Sequence, residues 1–87
     1  MIVTWDNAKG LANLDKHGLD FADLELEFFV KSVAAPVRDR RFKAIGSMRH
    51  GRVIVVIFAP LGTESVSVIS MRPANRKERS LFHGRSN

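Results

Sequence analysis

The sequence predicts an α+β domain: a small antiparallel sheet with helices packed against it, in the order β-α-α-β-β-β-α. Three observations carry that expectation. Val53-Ile54-Val55-Val56-Ile57-Phe58 is an unbroken run of β-branched and aromatic residues. Apolar on both faces, it reads as a central strand covered on both sides or nearly so. Strand-like stretches precede and follow it across short links, and consecutive strands with short links pair antiparallel. Helical start and stop signals sit in the first third of the chain and again near its end.

Taken in order, Ile2-Val3-Thr4-Trp5 is a short first strand. Asp6 then offers a carboxylate to the free N–H groups of a helical first turn. The helix runs from about Asn7 to His17, with Ala8, Leu11 and Leu14 along one side. Lys16 and His17 suit the dipole in its last turn, and Gly18 suits the residue that ends it. Asp20 caps a second helix, with Asp23 in the partner position of a capping box. Phe21, Leu24 and Phe28 recur at i, i+3 and i+7, and that helix ends by Val30 or Lys31. Val33-Ala34-Ala35, before Pro36, is at most a strand fragment. Arg41-Phe42-Lys43-Ala44-Ile45 partly alternates, as a strand with one wet side does. Gly46 to Gly51 forms the hairpin into the central strand. Ala59-Pro60-Leu61-Gly62-Thr63 supplies the breakers for the next turn. Val66, Val68 and Ile69 mark a last strand that runs into Ser70-Met71-Arg72. Pro73 fits the first turn of a final helix, where its missing N–H is not needed. That helix spans about Ala74 to Phe82 and buries Ala74, Leu81 and Phe82, and the tail from His83 to Asn87 reads as frayed.

Eighty-seven residues make one domain, 1–87, with one modest core and no room for a separate cofactor domain. There are no cysteines, which excludes disulfides and thiolate metal sites and is compatible with a reducing cytoplasm. The opening residues lack the basic and apolar regions of a signal peptide, and no run approaches a transmembrane span. Charge is divided unevenly. Residues 1–35 hold three lysines against six carboxylates, a net of −3, whereas residues 36–87 hold eleven Arg or Lys against three carboxylates, a net of +8. A basic half on a small protein points to a polyanion or an acidic protein partner, the plain alternative being a solvated surface with no ligand.

Three stretches together carry a resemblance. The first is Trp5-Asp6-x-x-Lys9-x-x-x-Asn13-x-x-Lys16-His17-Gly18, followed by Phe21. The second is Ala44-Ile45-Gly46 with Gly51-Arg52-Val53-Ile54-Val55-Val56. The third is Ile69-Ser70-Met71-Arg72-x-Ala74-x-Arg76-Lys77-Glu78-Arg79. Over nearly the whole chain the sequence resembles the BrnT toxins, ribonucleases of type II toxin–antitoxin systems with a RelE-like fold. The resemblance implies RNA cleavage that slows translation. It also implies a cognate antitoxin, usually a BrnA-like ribbon-helix-helix protein, with DNA bound only through the antitoxin complex. One segment departs from the pattern: such sequences usually carry a longer polar stretch, with His and Glu, where this chain has the compact Val33 to Arg41.

RNA can be cut without a metal when a base removes the 2′-OH proton, an acid protonates the leaving 5′-oxygen and fixed cations hold the phosphate. The sequence shows no clustered ligand set for a metal, so neither metal nor cofactor is expected. Arg72 and Arg76 suit phosphate, because guanidinium donates two parallel hydrogen bonds, and Arg79 extends the same helix face. Histidine is the side chain suited to proton transfer near neutral pH, which makes His17 the candidate, with Lys16 beside it and Lys9 seven residues earlier as RNA contacts. Glu78 is the remaining candidate base. Each has a plainer reading: a helix end for Lys16-His17-Gly18, a charge partner of arginine for Glu78, a solvated cation for Lys9. Arg72 and His17 are expected to converge on one cleft. The alternative to a nuclease is a noncatalytic basic module, an inactivated toxin that still binds an antitoxin or nucleic acid.

Overall fold

The computed structural model describes residues 1–84. Nine elements follow one another: β1 (Ile2–Trp5), α1 (Asn7–His17), a 3-10 turn (Phe21–Asp23), α2 (Leu26–Lys31), β2 (Val33–Pro36), β3 (Phe42–Ser47), β4 (Val53–Leu61), β5 (Ser65–Pro73) and α3 (Arg76–Gly84). The strands form one sheet in the order β1-β5-β4-β3-β2. From β2 to β5 the neighbours pair antiparallel through short turns, which the sequence implied for β3, β4 and β5. β1 does not: it lies parallel to β5, with Ile2 opposite Ser65 and Trp5 opposite Val68. The hairpins fill both sides of β4 and leave the outer edge of β5 open. β1 takes that edge in the register that packs Val3 and Trp5 against the core. The sheet is therefore mixed, and Val33–Pro36 is a full fifth strand.

Local chemistry explains the first helix. Asp6 accepts the Lys9 N–H at 3.0 Å, and Gly18 closes the helix in the left-handed region at φ 68° while donating its N–H to the Leu14 carbonyl. Its buried face is not the expected one. Leu11 and Leu14 are exposed, and Asn13 is buried instead. The second predicted helix divides in two. Asp20 caps only the 3-10 turn, and α2 starts afresh at Leu26, although Phe21, Leu24 and Phe28 are all buried as their spacing implied. The last helix begins at Arg76, beyond Pro73, which closes β5, and includes His83 and Gly84, which were expected to fray; Ala74 just before it and Phe82 within it are buried, but Leu81 is exposed. Of the tail, residues 85–87 lie outside the described part of the chain.

The sheet separates two apolar clusters. Phe21, Leu24, Phe28, Ala44, Ile54, Val56, Val68 and Met71 pack on the side that carries α1 and α2. Ile45, Val53 and Val55 pack on the other side with Ala74 and Phe82. Gly46 lets α2 approach, since a Cβ there would lie 2.7 Å from a Phe28 ring carbon. One irregularity sets the positions that matter below. Ile57 faces Ser70 but Phe58 faces Val68, so Ile69 is an extra residue on β5, a bulge. The alternation changes phase there, so Val68 and Met71, three residues apart, both reach the first cluster. Arg72, opposite Val55, consequently lies on the α3 side.

Candidate active site

The exit of β5 and the start of α3 form one polar cluster. Asn75 Oδ1 accepts the Glu78 N–H at 2.8 Å, and Glu78 Oε1 accepts the Asn75 N–H at 2.9 Å, a reciprocal capping box. The N-x-x-E spacing of Asn75 and Glu78 was the available signal for this helix start; attention to Pro73 passed it over. Folding the helix from Asn75 turns the Glu78 carboxylate back over the strand end, where it meets Arg72 in two parallel bonds of 2.8 Å. Lys43 reaches the same carboxylate at 3.4 Å from β3. Glu78 is only 5% exposed. Chiefly through Arg72, and further through the Asn75 N–H and Lys43, its pKa is lowered to about 2 against the opposing effect of burial. The same bond raises the Arg72 guanidinium above its ordinary value.

This cluster collects some of the predicted residues. Arg72 and Glu78 are joined, and the charge-partner reading of Glu78 describes its geometry. Both its oxygens are engaged, and a carboxylate with so low a pKa is a poor proton acceptor at neutral pH. Arg79 donates to the Ala74 carbonyl at 2.8 Å. Arg76, in the first turn of α3, is exposed and makes no hydrogen bond or ion pair with a described residue. Lys77 beside it is likewise exposed. Lys43 is the member that sequence reasoning missed. Its only signal was its place in an alternating strand, which did not reveal the partner helix.

His17 is not part of the cluster. It is half-buried in the last turn of α1, one turn beyond Asn13. Asn13 Oδ1 accepts the Met71 N–H at 3.0 Å, and its amide donates to the Leu19 carbonyl. β1 has already ended opposite Val68, so Asn13 satisfies a strand N–H that β1 no longer covers. His17 thus stands near the same free stretch of β5 as Arg72, but α1 and Arg72 belong to opposite faces of the sheet. The expected common cleft is corrected accordingly: adjacent residues of a strand point to opposite sides, and the contact of α1 is with Met71. Lys9 and Lys16 are exposed on α1. A groove of about 360 Å³ lies elsewhere, lined by Asp23, Glu25 and Glu27 together with Lys31 and Arg49, and the two cations pair with Glu27 and Glu25.

Residues 5–78 match the family model described as the ribonuclease toxin BrnT of type II toxin–antitoxin systems. The chain belongs to the BrnT family. Among solved structures, the 1.1 Å crystal structure of the Brucella abortus ribonuclease toxin BrnT is similar, with 47% identity and a TM-score of 0.82. The likeness covers 87% of this chain and 99% of that one. None of the curated proteins matches. The BrnT assignment makes the chain a ribonuclease toxin of a type II toxin–antitoxin system, and it implies an RNA substrate and an antitoxin partner. Among the described residues, no helix is long and apolar enough to cross a membrane.

Proposed function

We propose that this BrnT chain cleaves RNA by attack of the 2′-OH on phosphorus, with side-chain cations rather than a metal stabilising the phosphate. The observation that carries the reading is the Arg72–Glu78 pair seated on the capping box, beside the unpaired Arg76. Glu78, itself fixed by the Asn75 N–H and Lys43, holds Arg72 in place, and one guanidinium edge and Arg76 serve the phosphodiester. A positioned cation stabilises developing charge without reorganising during reaction. Arg79, Lys16 and Lys9 contact the flanking RNA backbone. His17, on the other face of the sheet from Arg72, is left out of the reacting centre and joins Lys16 and Lys9 as a contact to the RNA chain. Glu78 takes the role of positioning residue in place of base.

The reading extends to neutralisation by a cognate BrnA-like ribbon-helix-helix antitoxin, with DNA contacted through that complex, to a RelE-like fold and to action in the cytoplasm. Cleavage assays on purified protein test the core of it. Arg76→Ala is expected to lower RNA cleavage at least tenfold with an unchanged melting temperature, whereas His17→Ala should weaken RNA binding more than turnover. Cleavage should persist in excess EDTA. Full activity in Arg76→Ala would remove that residue from the reacting centre. The compact hairpin between β2 and β3 and the full engagement of Glu78 favour the second reading, a noncatalytic module, and a chain that binds RNA without cutting it would establish that one instead.

A further inference from the structure

β4 places Val53, Val55, Ile57, Ala59 and Leu61 on the face that carries α3. A strand with one face in water alternates apolar and polar residues, and this one does not. α3 covers only its first part, where Ala74 and Phe82 bury Val53 and Val55. Further along, Ile57 and Ala59 are partly exposed and Leu61 is 52% exposed. In the same row across the sheet, past Ser65, stands Ile2 at 60% exposure. Thr4, Ser65 and Ser67 complete a shallow floor of small and aliphatic side chains. Lys43, opposite Ile57, and Arg72 stand at one end of it, and the single carboxylate of Glu64 adjoins the other.

From this we infer that the open half of the sheet is the docking surface for the antitoxin, which presents an amphipathic segment with an aliphatic stripe and carboxylates toward Lys43 and Arg72. The inference rests on the toxin reading above and adds the surface and the chemistry of its partner. Charge complementarity argues for an acidic segment. The floor argues for protein over RNA. Single-stranded RNA seeks aromatic platforms, and the aromatic side chains of the sheet lie elsewhere: Trp5 and Phe58 pack against the cluster under α1 and α2, and Phe42 stacks on Phe58. A segment seated here covers the cations that the proposed reaction needs, so docking and inhibition are one event.

The test uses the full chain and the purified product of the small reading frame beside its gene. Ile2→Glu and Leu61→Glu replace exposed side chains, so the melting temperature and the RNA cleavage of the free protein should stay unchanged. Antitoxin affinity should fall at least tenfold, and inhibition of cleavage should fall with it. Leu11→Glu, on an exposed position of α1, is the control and should change nothing. Three results overturn the inference: antitoxin binding within twofold of wild type in both variants, an equal loss in Leu11→Glu, or loss of RNA affinity in place of antitoxin affinity. Self-association of the wild type that Leu61→Glu abolishes would assign the surface to a second copy and overturn it too. Wild type that binds no antitoxin defeats the toxin–antitoxin reading itself, which separates that failure from the others.

Discussion

Glu78 shows how a residue type can mislead. An acidic side chain beside arginines invites the role of base, but its neighbours hold its pKa at about 2, well under the ordinary 4.5. The lowered value means that the folded state prefers the ionised form. Its contribution is therefore fully present above about pH 4.5 and is lost as the pH falls toward 2. The shift corresponds to stability on the order of 3 kcal/mol. Urea titrations from neutral to acid pH should show wild type losing about that much more than Glu78→Gln, whose curve should be flatter. Arg72→Lys keeps the charge but not the two parallel bonds, so a loss of about 1–3 kcal/mol is expected in the same titrations at pH 7. At this scale the sequence was most legible where a residue acts on its own chain neighbours, as with Asp6 and Gly18. Asn13 was not legible. Nothing near it in the chain shows that a strand N–H fifty-eight residues away needs an acceptor.

Two elements carry backbone predictions. Between β2 and β3, Asp39 and Arg40 both have positive φ, 57° and 62°, and the Arg41 N–H donates to the Arg38 carbonyl at 3.0 Å. That is a type I′ turn, which favours Asp at its first central position and Gly at its second. Arg40→Gly should stabilise the protein by roughly 1 kcal/mol, read as a higher melting temperature, because it removes the left-handed penalty of a side chain. Gly46→Ala should do the opposite, costing roughly 1–3 kcal/mol, since the new methyl group meets the Phe28 ring. Hairpin partners were readable from β3 to β5 because each pairs with the next strand, whereas β2, four residues ending in a proline, read only as a fragment. The parallel place of β1 was not, because a four-residue strand carries no mark of a partner sixty residues on. Helical spacing likewise misjudged α1: Leu11 and Leu14 form a stripe that the sheet does not cover.

For the molecule as a whole, the division of charge along the chain becomes a division in space. The groove beside α2 carries Asp23, Glu25 and Glu27 against Lys31 and Arg49, while Arg72, Arg76, Lys77 and Lys43 gather around the one carboxylate of Glu78 at the start of α3. RNA affinity should therefore fall steeply with added salt, and Arg76→Ala should make a plot of log affinity against log salt shallower by about 0.7 for a single-stranded ligand. Equilibrium binding at several salt concentrations checks this, and an unchanged slope would place Arg76 away from phosphate. Composition told that the chain seeks an anionic or acidic partner, and the family motifs told which system. Which side of the sheet each cation occupies depended on tertiary pairing, and hence on the bulge.

Ile69 has no charge to offer a substrate and no partner across the ladder, and the bulge that takes it up keeps Arg72 opposite Val55. Excising that one amino acid should leave Ser70, Met71 and Arg72 facing the same neighbours in a now regular strand, and such a deletant should stay soluble. Adding one more residue at the same place should instead turn the tail of β5 inside out, exposing a methionine and driving a guanidinium into oil.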